Sequence, residues 1–270
     1  MNNTMINSIY QQFIPKGYSI ASDECSGGYP DEHNCSWYHG NWMLLRYLGV
    51  VSNPYWHESF YKGALHNINA SNKEYVLVAG TADFSMPLLC SESGISKVHI
   101  CDKCGTPLKI CNLVSQFLGF DWNTFVQDVC LEFPSKCDII INDAFLSRFI
   151  DKNRPLMGIY KGLKQGGYYI TTLKKGRQNK GGDVSDLVRE HFMCKVRERY
   201  EKNKDMLPDL NIDAISATYV EKMSSFPVEG ENDIYTLFKR AGLNILQLEQ
   251  GTVEGEFETS EYFRVVSQKN

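Results

Sequence analysis

The segment VLVAGTADFS, residues 76–85, joins four apolar residues to Gly80 and a turn of small and polar residues. A short apolar run of this kind predicts a strand that is buried on both faces of a parallel sheet. In the turn after such a strand the main chain can approach a ligand, and the next helix offers unpaired N–H groups. Of the three glycines that are usual in such a turn, only Gly80 is present, and Ala82 and Ser85 stand at the two later positions. We expect a ligand site at Gly80, Thr81, Ala82 and Asp83.

From Glu74 onward, short apolar runs alternate with stretches of helical spacing. Five runs have the composition of strands and are predicted at residues 74–79, 97–101, 124–127, 137–141 and 167–173. Helices are predicted at residues 87–93, 107–118 and 233–241. Two further strands, including an antiparallel pair at one edge, are predicted at residues 243–249 and 261–267. The sequence therefore predicts an α/β protein with a Rossmann-like, seven-stranded, mostly parallel sheet and helices on both faces.

Two segments lie outside this alternation. Residues 1–72 are rich in aromatic side chains, and Trp42, Leu45 and Leu48 recur at helical spacing, so we predict an N-terminal helical cap. Residues 174–231 are predicted to be a helical insertion after the fifth strand, over the edge where the parallel strands end. Residues 73–270, which include this insertion, are predicted to form one domain that carries the ligand site.

The composition limits the classes of partner. The chain has 270 residues and a formal net charge of −4, so it lacks the global basic field that attracts nucleic acid. We expect a small-molecule substrate and no nucleic-acid partner. No apolar run approaches the roughly 18 residues of a membrane span, and the first residues do not resemble a signal peptide. We therefore expect a cytoplasmic protein without a membrane partner, and we leave a homo-oligomer open.

The cysteine pattern predicts free thiols. An odd number of cysteines, nine, is scattered through predicted strands and helices, which fits reduced thiols better than a disulfide framework. Cys101 and Cys104 form a lone C-x-x-C with Cys111 downstream, and no second pair follows at the spacing of a zinc site. By spacing alone, the sequence predicts buried thiols and no metal site.

Polar residues follow four of the predicted strands. Asp102 ends the second strand, 22 positions after Gly80, where a carboxylate can accept the hydroxyl groups of a ribose. Asp128 ends the third strand, and Asn142 and Asp143 end the fourth. Each of these acids can instead be a solvated strand terminus or a helix cap. Because parallel strands end at one edge of a sheet, the set together favours a binding site there.

The order of these segments resembles the successive motifs of class I S-adenosylmethionine (SAM) dependent methyltransferases. The matching segments are VLVAGTADFS, HICD (99–102), VQDV (126–129), DIIINDAF (138–145) and LKQGGYYITT (163–172). The resemblance implies S-adenosyl-L-methionine as the cofactor, with its methionine part held by the Gly80 turn. It further implies that Asp102 binds the ribose and that Asp128 and Val129 bind the adenine. We expect Asn142, at the tip of the fourth strand, to belong to the same cofactor site.

Methyl transfer from a sulfonium is an in-line displacement, so the protein mainly aligns the acceptor and excludes water. A general base helps if the acceptor must lose a proton, and the candidates are His39, His57 and Asp143. The two histidines stand in the aromatic N-terminal segment. Either can instead be an ordinary surface or core histidine.

Aromatic faces can also attract the positive sulfonium by cation–π interaction. The candidates for such a substrate-side wall are Trp37, Tyr38, Trp42 and Phe145. The alternative is that the N-terminal aromatic residues only pack helices onto the sheet.

Three functional hypotheses follow. The first is a methyltransferase that acts on a small-molecule acceptor. The second is an enzyme that consumes SAM at its γ-carbon, by aminocarboxypropyl transfer or by cyclisation to azetidine-2-carboxylate, and releases methylthioadenosine. The third is a noncatalytic module that keeps the fold and binds SAM or a partner without turnover. A nicotinamide-dependent dehydrogenase fits less well, because Asp83 would repel a pyrophosphate in the first turn.

Overall fold

The computed structural model describes residues 3–27, 35–131, 133–176, 185–254 and 259–270. The strands are β1 (Val76–Ala79), β2 (Lys97–Asp102), β3 (Asp121–Val126), β4 (Cys137–Ile141), β5 (Leu163–Lys174), β6 (Leu243–Glu254) and β7 (Thr259–Lys269). The α-helices in the described residues are α1 (Asn3–Gly27), α2 (Ser36–Tyr47), α3 (Glu58–Asn67), α4 (Ser85–Glu92), α5 (Gly105–Leu118), α6 (Asn153–Gly162), α7 (Asp186–Glu201), α8 (Ile212–Lys222) and α9 (Glu231–Arg240).

The strands form one seven-stranded sheet in the order β3-β2-β1-β4-β5-β7-β6. The pairs β1–β2, β2–β3, β1–β4 and β4–β5 are parallel. Strand β7 runs antiparallel to both β5 and β6 at one edge. The predicted seven-stranded, mostly parallel sheet with an antiparallel edge is therefore confirmed. Strand order reverses between β1 and β4, because the chain proceeds from β1 to β2 on one side and returns to β4 on the other.

The centre of the sheet follows from its apolar sequence. All four residues of β1 are buried, since β2 and β4 flank the strand and helices cover both faces. The third strand differs from its prediction at residues 124–127, because it begins at Asp121 and pairs with the full length of β2. Exposed and buried residues alternate at the beginning of β3, as is typical of an edge strand. The sequence there therefore lacks the continuous apolar run that predicts a buried strand.

The N-terminal helices pack against the parallel sheet domain. Helix α1 contacts α2 and α5, and the Tyr10 ring lies 4.8 Å from that of Phe84 in the turn after β1. Farther along the chain, Phe192 of α7 stacks on Tyr219 of α8, with ring centroids 5.0 Å apart. The Tyr219 ring in turn lies 6.3 Å from Trp42 of α2. The insertion therefore packs against the N-terminal helices. Among the described helices, none is long and apolar enough to cross a membrane.

Candidate active site

A cavity of about 610 Å³ lies where strand order reverses, at the carboxyl ends of β1 and β4. Open α/β sheets bind ligands at this place because the two diverging connections leave a crevice there. We call its sheet side the strand-tip wall, formed by Gly80, Asp102, Asn142 and Asp143. We call the opposite side the cap wall, formed by Trp37, Tyr38, Trp42 and Arg46 of α2.

The first turn is built around Gly80. Its φ of +74° lies in the left-handed region, which glycine adopts without steric cost. Its N–H donates to the carbonyl of Cys101 at 2.8 Å, which continues the pairing with β2. The Phe145 ring lies so close to the Gly80 Cα that a side chain there would overlap it. Gly80, Thr81 and Ala82 line the cavity as the sequence predicts.

Asp83 has a different place from the rest of this turn. It is fully buried, does not line the cavity, and forms an ion pair with Arg46, Nη1 to Oδ1 at 2.6 Å. The N–H of Ser85 donates to the same Oδ1 at 2.8 Å, and the Tyr10 hydroxyl donates to Oδ2 at 3.3 Å. Asp83 therefore connects the first turn to α1 and α2.

Arg46 is a site residue that sequence reasoning missed. It lines the cavity, pairs with Asp83, and donates from Nε to the carbonyl of Ser52 at 2.8 Å. The sequence feature that could have indicated Arg46 is its place as a single cation inside the apolar run WMLLRYL, residues 42–48. A buried charge needs a partner, so such a cation predicts a buried carboxylate elsewhere in the chain. The sequence could not indicate which carboxylate it was.

Asp102 lines the cavity and is half-buried. Its Oδ1 accepts the N–H of Cys104 at 2.8 Å, so the carboxylate is oriented by its own chain two residues later. Burial raises the pKa of the Asp102 carboxyl group to about 6. A carboxylate has about four acceptor positions, so it retains capacity for the hydroxyl groups of a ligand.

Asp128 and Val129, the predicted adenine contacts, do not line the cavity. Asp128 Oδ1 accepts the N–H of Cys130 at 2.8 Å, the same local geometry as in Asp102. Val129 is buried, and its carbonyl oxygen touches the main chain of α6 at Gly158, where no side chain would fit. The structure thus places these two residues beside the other strand tips but outside the cavity that those tips line.

The turn after β4 forms the end of the strand-tip wall. Asn142 accepts at Oδ1 from the hydroxyls of Tyr169 (3.1 Å) and Thr171 (2.6 Å), while its Nδ2 has no hydrogen-bond partner among the described residues. Asp143 accepts hydroxyl hydrogen bonds from Ser52 (2.8 Å), Tyr61 (3.0 Å) and Thr172 (2.8 Å). These donors come from three parts of the chain and orient the carboxylate at the cavity. The next residue, Ala144, has φ +51°, a conformation that costs a non-glycine residue about 1–2 kcal/mol.

All four predicted aromatic residues, Trp37, Tyr38, Trp42 and Phe145, line the cavity. The rings of Tyr38 and Trp42 lie 4.4 Å apart. Each already faces a cation, Arg148 at 5.7 Å from the Tyr38 ring and Arg46 at 5.5 Å from the Trp42 ring. The indole N–H of Trp42 has no hydrogen-bond partner among the described residues. The rings of the cap wall are therefore packed against each other and against neighbouring guanidinium groups.

The structure separates the two candidate histidines. His39 lines the cavity, and its Nδ1 lies 3.6 Å from the sulfur of Cys25. His57 is fully buried, does not line the cavity, and accepts at Nδ1 from Arg264 Nε at 3.3 Å. Burial lowers the pKa of His57. Of the three predicted bases, His39 and Asp143 are therefore at the cavity, and His57 is in the core beneath it.

No protein-family model matches the chain, and no curated protein matches its sequence. Solved structures match the fold. A SAM-dependent methyltransferase from Methanosarcina mazei matches with a TM-score of 0.51 at 15% identity, over 76% of this chain and 96% of that one. One from Clostridium acetobutylicum gives 0.53 at 14% identity, over 85% and 96%. The cyclase SpnF gives 0.53 at 11% identity, over 78% and 80%.

This chain has the class I methyltransferase fold. The strand order and the likeness to these structures agree on that point. The same fold occurs in methyltransferases and in the cyclase SpnF, so the fold does not choose the reaction. The residues around the cavity, and not the fold, decide the reaction.

Proposed function

We propose that the chain binds S-adenosyl-L-methionine and transfers its methyl group to a small-molecule acceptor. The observation that carries the proposal is the cavity at the point where strand order reverses, which brings Gly80, Asp102 and Asp143 to one wall and aromatic rings to the other. Its volume of about 610 Å³ lies within the range of about 300–1,000 Å³ that is usual for small-molecule sites.

The polar groups of the cavity fit an adenosyl amino acid. Asp102 can accept the ribose hydroxyls, and the first turn, from Gly80 to Ala82, lines the same cavity.

When bound, the cofactor supplies an electrophilic methyl group on a positively charged sulfur. The ring of Phe145 can stabilise that charge by about 0.5–2 kcal/mol, depending on desolvation, whereas Tyr38 and Trp42 already lie against each other and face Arg148 and Arg46. Aromatic rings against a bound reactant reduce the water around it, which strengthens electrostatic interactions there. The chain's main contribution is therefore to orient the two reactants and to keep the site dry.

Asp143 is the group that we assign to the proton of the acceptor. It lines the cavity, and hydroxyls of Ser52, Tyr61 and Thr172 hold its carboxylate in one orientation. Three of its roughly four acceptor positions are used, so one remains for an acceptor N–H or O–H. His57 is excluded from this role by its place in the core.

Calorimetry with SAM and S-adenosylhomocysteine tests the binding step. We expect one site per chain, and we expect Asp102→Ala to weaken binding about 10- to 100-fold, the value of a lost charge-assisted hydrogen bond. Asp121→Ala is the matched control, because Asp121 is exposed at the opposite end of β3. No binding by the wild type, or equal losses in the two variants, would contradict the assignment.

Product analysis tests the reaction. The purified chain is incubated with SAM alone and then with a mixture of candidate amines, phenols and carboxylic acids. Methyl transfer gives S-adenosylhomocysteine only when an acceptor is present. Methylthioadenosine released from SAM alone would overturn methyl transfer and favour attack at the γ-carbon, the alternative that the fold equally allows.

A further inference from the structure

Three cysteines and one histidine from distant parts of the chain meet beside the cavity. Cys25 lies near the end of α1, Cys35 directly precedes α2, His39 lies in α2, and Cys104 follows β2. One ligand atom of each residue lies within 4.8 Å of the others. Cys25 and Cys104 are 79 positions apart in the sequence, so only the folded chain brings them together.

The distances between these atoms match the edges of a zinc tetrahedron. Bond lengths of about 2.3 Å for Zn–S and 2.0–2.1 Å for Zn–N give edges of about 3.8 Å between sulfurs and about 3.6 Å between sulfur and nitrogen. The structure has 3.7 Å for Cys25 Sγ to Cys104 Sγ and 3.8 Å for Cys35 Sγ to Cys104 Sγ. It has 3.6 Å for Cys25 Sγ to His39 Nδ1. A disulfide would need a sulfur separation of about 2.05 Å, so the cluster is not a set of oxidised pairs.

We propose that Cys25, Cys35, His39 and Cys104 bind one zinc ion. Three thiolates and an imidazole are a usual donor set for tetrahedral zinc, and soft sulfur ligands disfavour calcium and magnesium. Four protein ligands leave no open position, so the site is structural rather than catalytic. The C-x-x-C motif at Cys101 and Cys104 did not indicate this zinc site, because only Cys104 of that motif belongs to the cluster.

Neighbouring groups fit this role. The buried hydroxyl of Thr106 lies 3.1 Å from the Cys25 sulfur, at a distance at which it can donate to a thiolate. Cys104 is the residue before the first turn of α5, where the positive end of the helix dipole favours a negative ligand. Such contacts orient metal ligands and are a regular feature of zinc sites.

The zinc ion has a structural consequence for the cavity. It would join α1 and α2 to the turn after β2, and the N–H of Cys104 in that turn holds the carboxylate of Asp102. Cys35 and His39 also line the cavity. His39 would bind the metal through its ring in this arrangement, which removes it from the candidate general bases and leaves Asp143.

Metal analysis of the untagged, reduced chain tests the proposal. After incubation with zinc and removal of the excess, we expect about one zinc per chain. Cys35→Ser and Cys104→Ser should lower zinc affinity by more than the about 10- to 100-fold that changes beside a ligand cause. Cys130→Ser is the matched control, a half-buried thiol outside the cluster. A wild type without zinc, or equal zinc in Cys35→Ser and Cys130→Ser, would overturn the proposal.

Cobalt substitution provides a measurement on the wild type that does not depend on how a variant folds. Co²⁺ bound by three thiolates and a histidine gives the intense visible absorption of tetrahedral coordination together with sulfur-to-metal charge-transfer bands. Weak octahedral bands, or a disulfide between Cys25 and Cys104 found by mass spectrometry, would overturn the assignment. We expect chelation of the metal to lower the melting temperature by about 10 °C. These measurements omit SAM, so they stand apart from the proposed function.

Discussion

The two walls of the cavity are built in different ways. In the strand-tip wall, main-chain pairing sets the positions: Gly80 donates to the carbonyl of Cys101 at 2.8 Å, and Asn142 donates to that of Ile170 at 3.1 Å. In the cap wall, side chains set the positions, above all the buried ion pair of Arg46 with Asp83. The strand-tip wall therefore follows from the parallel sheet, whereas the cap wall depends on a few long-range contacts.

Breaking the ion pair of the cap wall should have the largest effect. Arg46→Met leaves Asp83 charged and unpaired in a fully buried position, and we expect a loss of about 3–5 kcal/mol in the free energy of unfolding. Urea denaturation measures it. Arg197→Met removes an exposed ion pair with Asp213 and should change the stability little. Similar results for the two variants would show that the cap wall does not depend on this pair.

Asp102 and Asp128 are two strand-tip carboxylates with different positions relative to the cavity. Both end a strand and both accept the N–H two residues later at 2.8 Å, but only Asp102 lines the cavity. We therefore expect Asp128→Ala to change SAM affinity by no more than about twofold, against about 10- to 100-fold for Asp102→Ala. Calorimetry on both variants decides. A large loss for Asp128→Ala would place the adenine at the tip of β3, as the sequence resemblance implies.

The contact between Gly158 of α6 and the main chain of Val129, after β3, can be tested by its effect on stability. A methyl group at Gly158 would overlap the main chain of Val129, so Gly158→Ala should destabilise the chain by about 1–3 kcal/mol. Gly63 is the control, because it stands inside α3 with no atom near the position of a Cβ. Gly63→Ala should stabilise by about 0.5–1 kcal/mol. Thermal unfolding of both variants measures the contrast, and a neutral Gly158→Ala would mean that α6 can shift away from the loop.

The smallest expected effect is that of His57 on the pH dependence of the free energy of unfolding. Burial lowers the pKa of His57 below 6.5 in the folded chain, so the unfolded chain binds more protons below that pH. The free energy of unfolding therefore decreases as the pH falls below 6.5, and His57 causes no such loss at higher pH. His57→Gln should make this fall shallower between neutral and mildly acidic pH. Denaturation midpoints at several pH values measure the slope, and an unchanged slope would contradict a neutral buried His57.

The strand-tip wall was predictable because its information is local. The apolar run at residues 76–79 and Gly80 predict a buried strand and an open turn, and Asp102 and Asp143 follow buried strands. Parallel pairing then brings these tips to one edge. The beginning of β3 was not predictable in the same way, because alternating exposure at an edge weakens the apolar signal.

What the sequence determined by itself was the α/β fold, the order of its elements and the polar tips of the central strands, because burial pattern and turn preference are set by a few neighbouring residues. The tertiary structure alone decided that Asp83 pairs with Arg46 and that Val129 lies against α6 instead of in the cavity. It also decided that Cys25 meets Cys104 beside His39. Each of these contacts joins segments far apart in the chain, and their geometry exists only after the helices and the sheet have packed together.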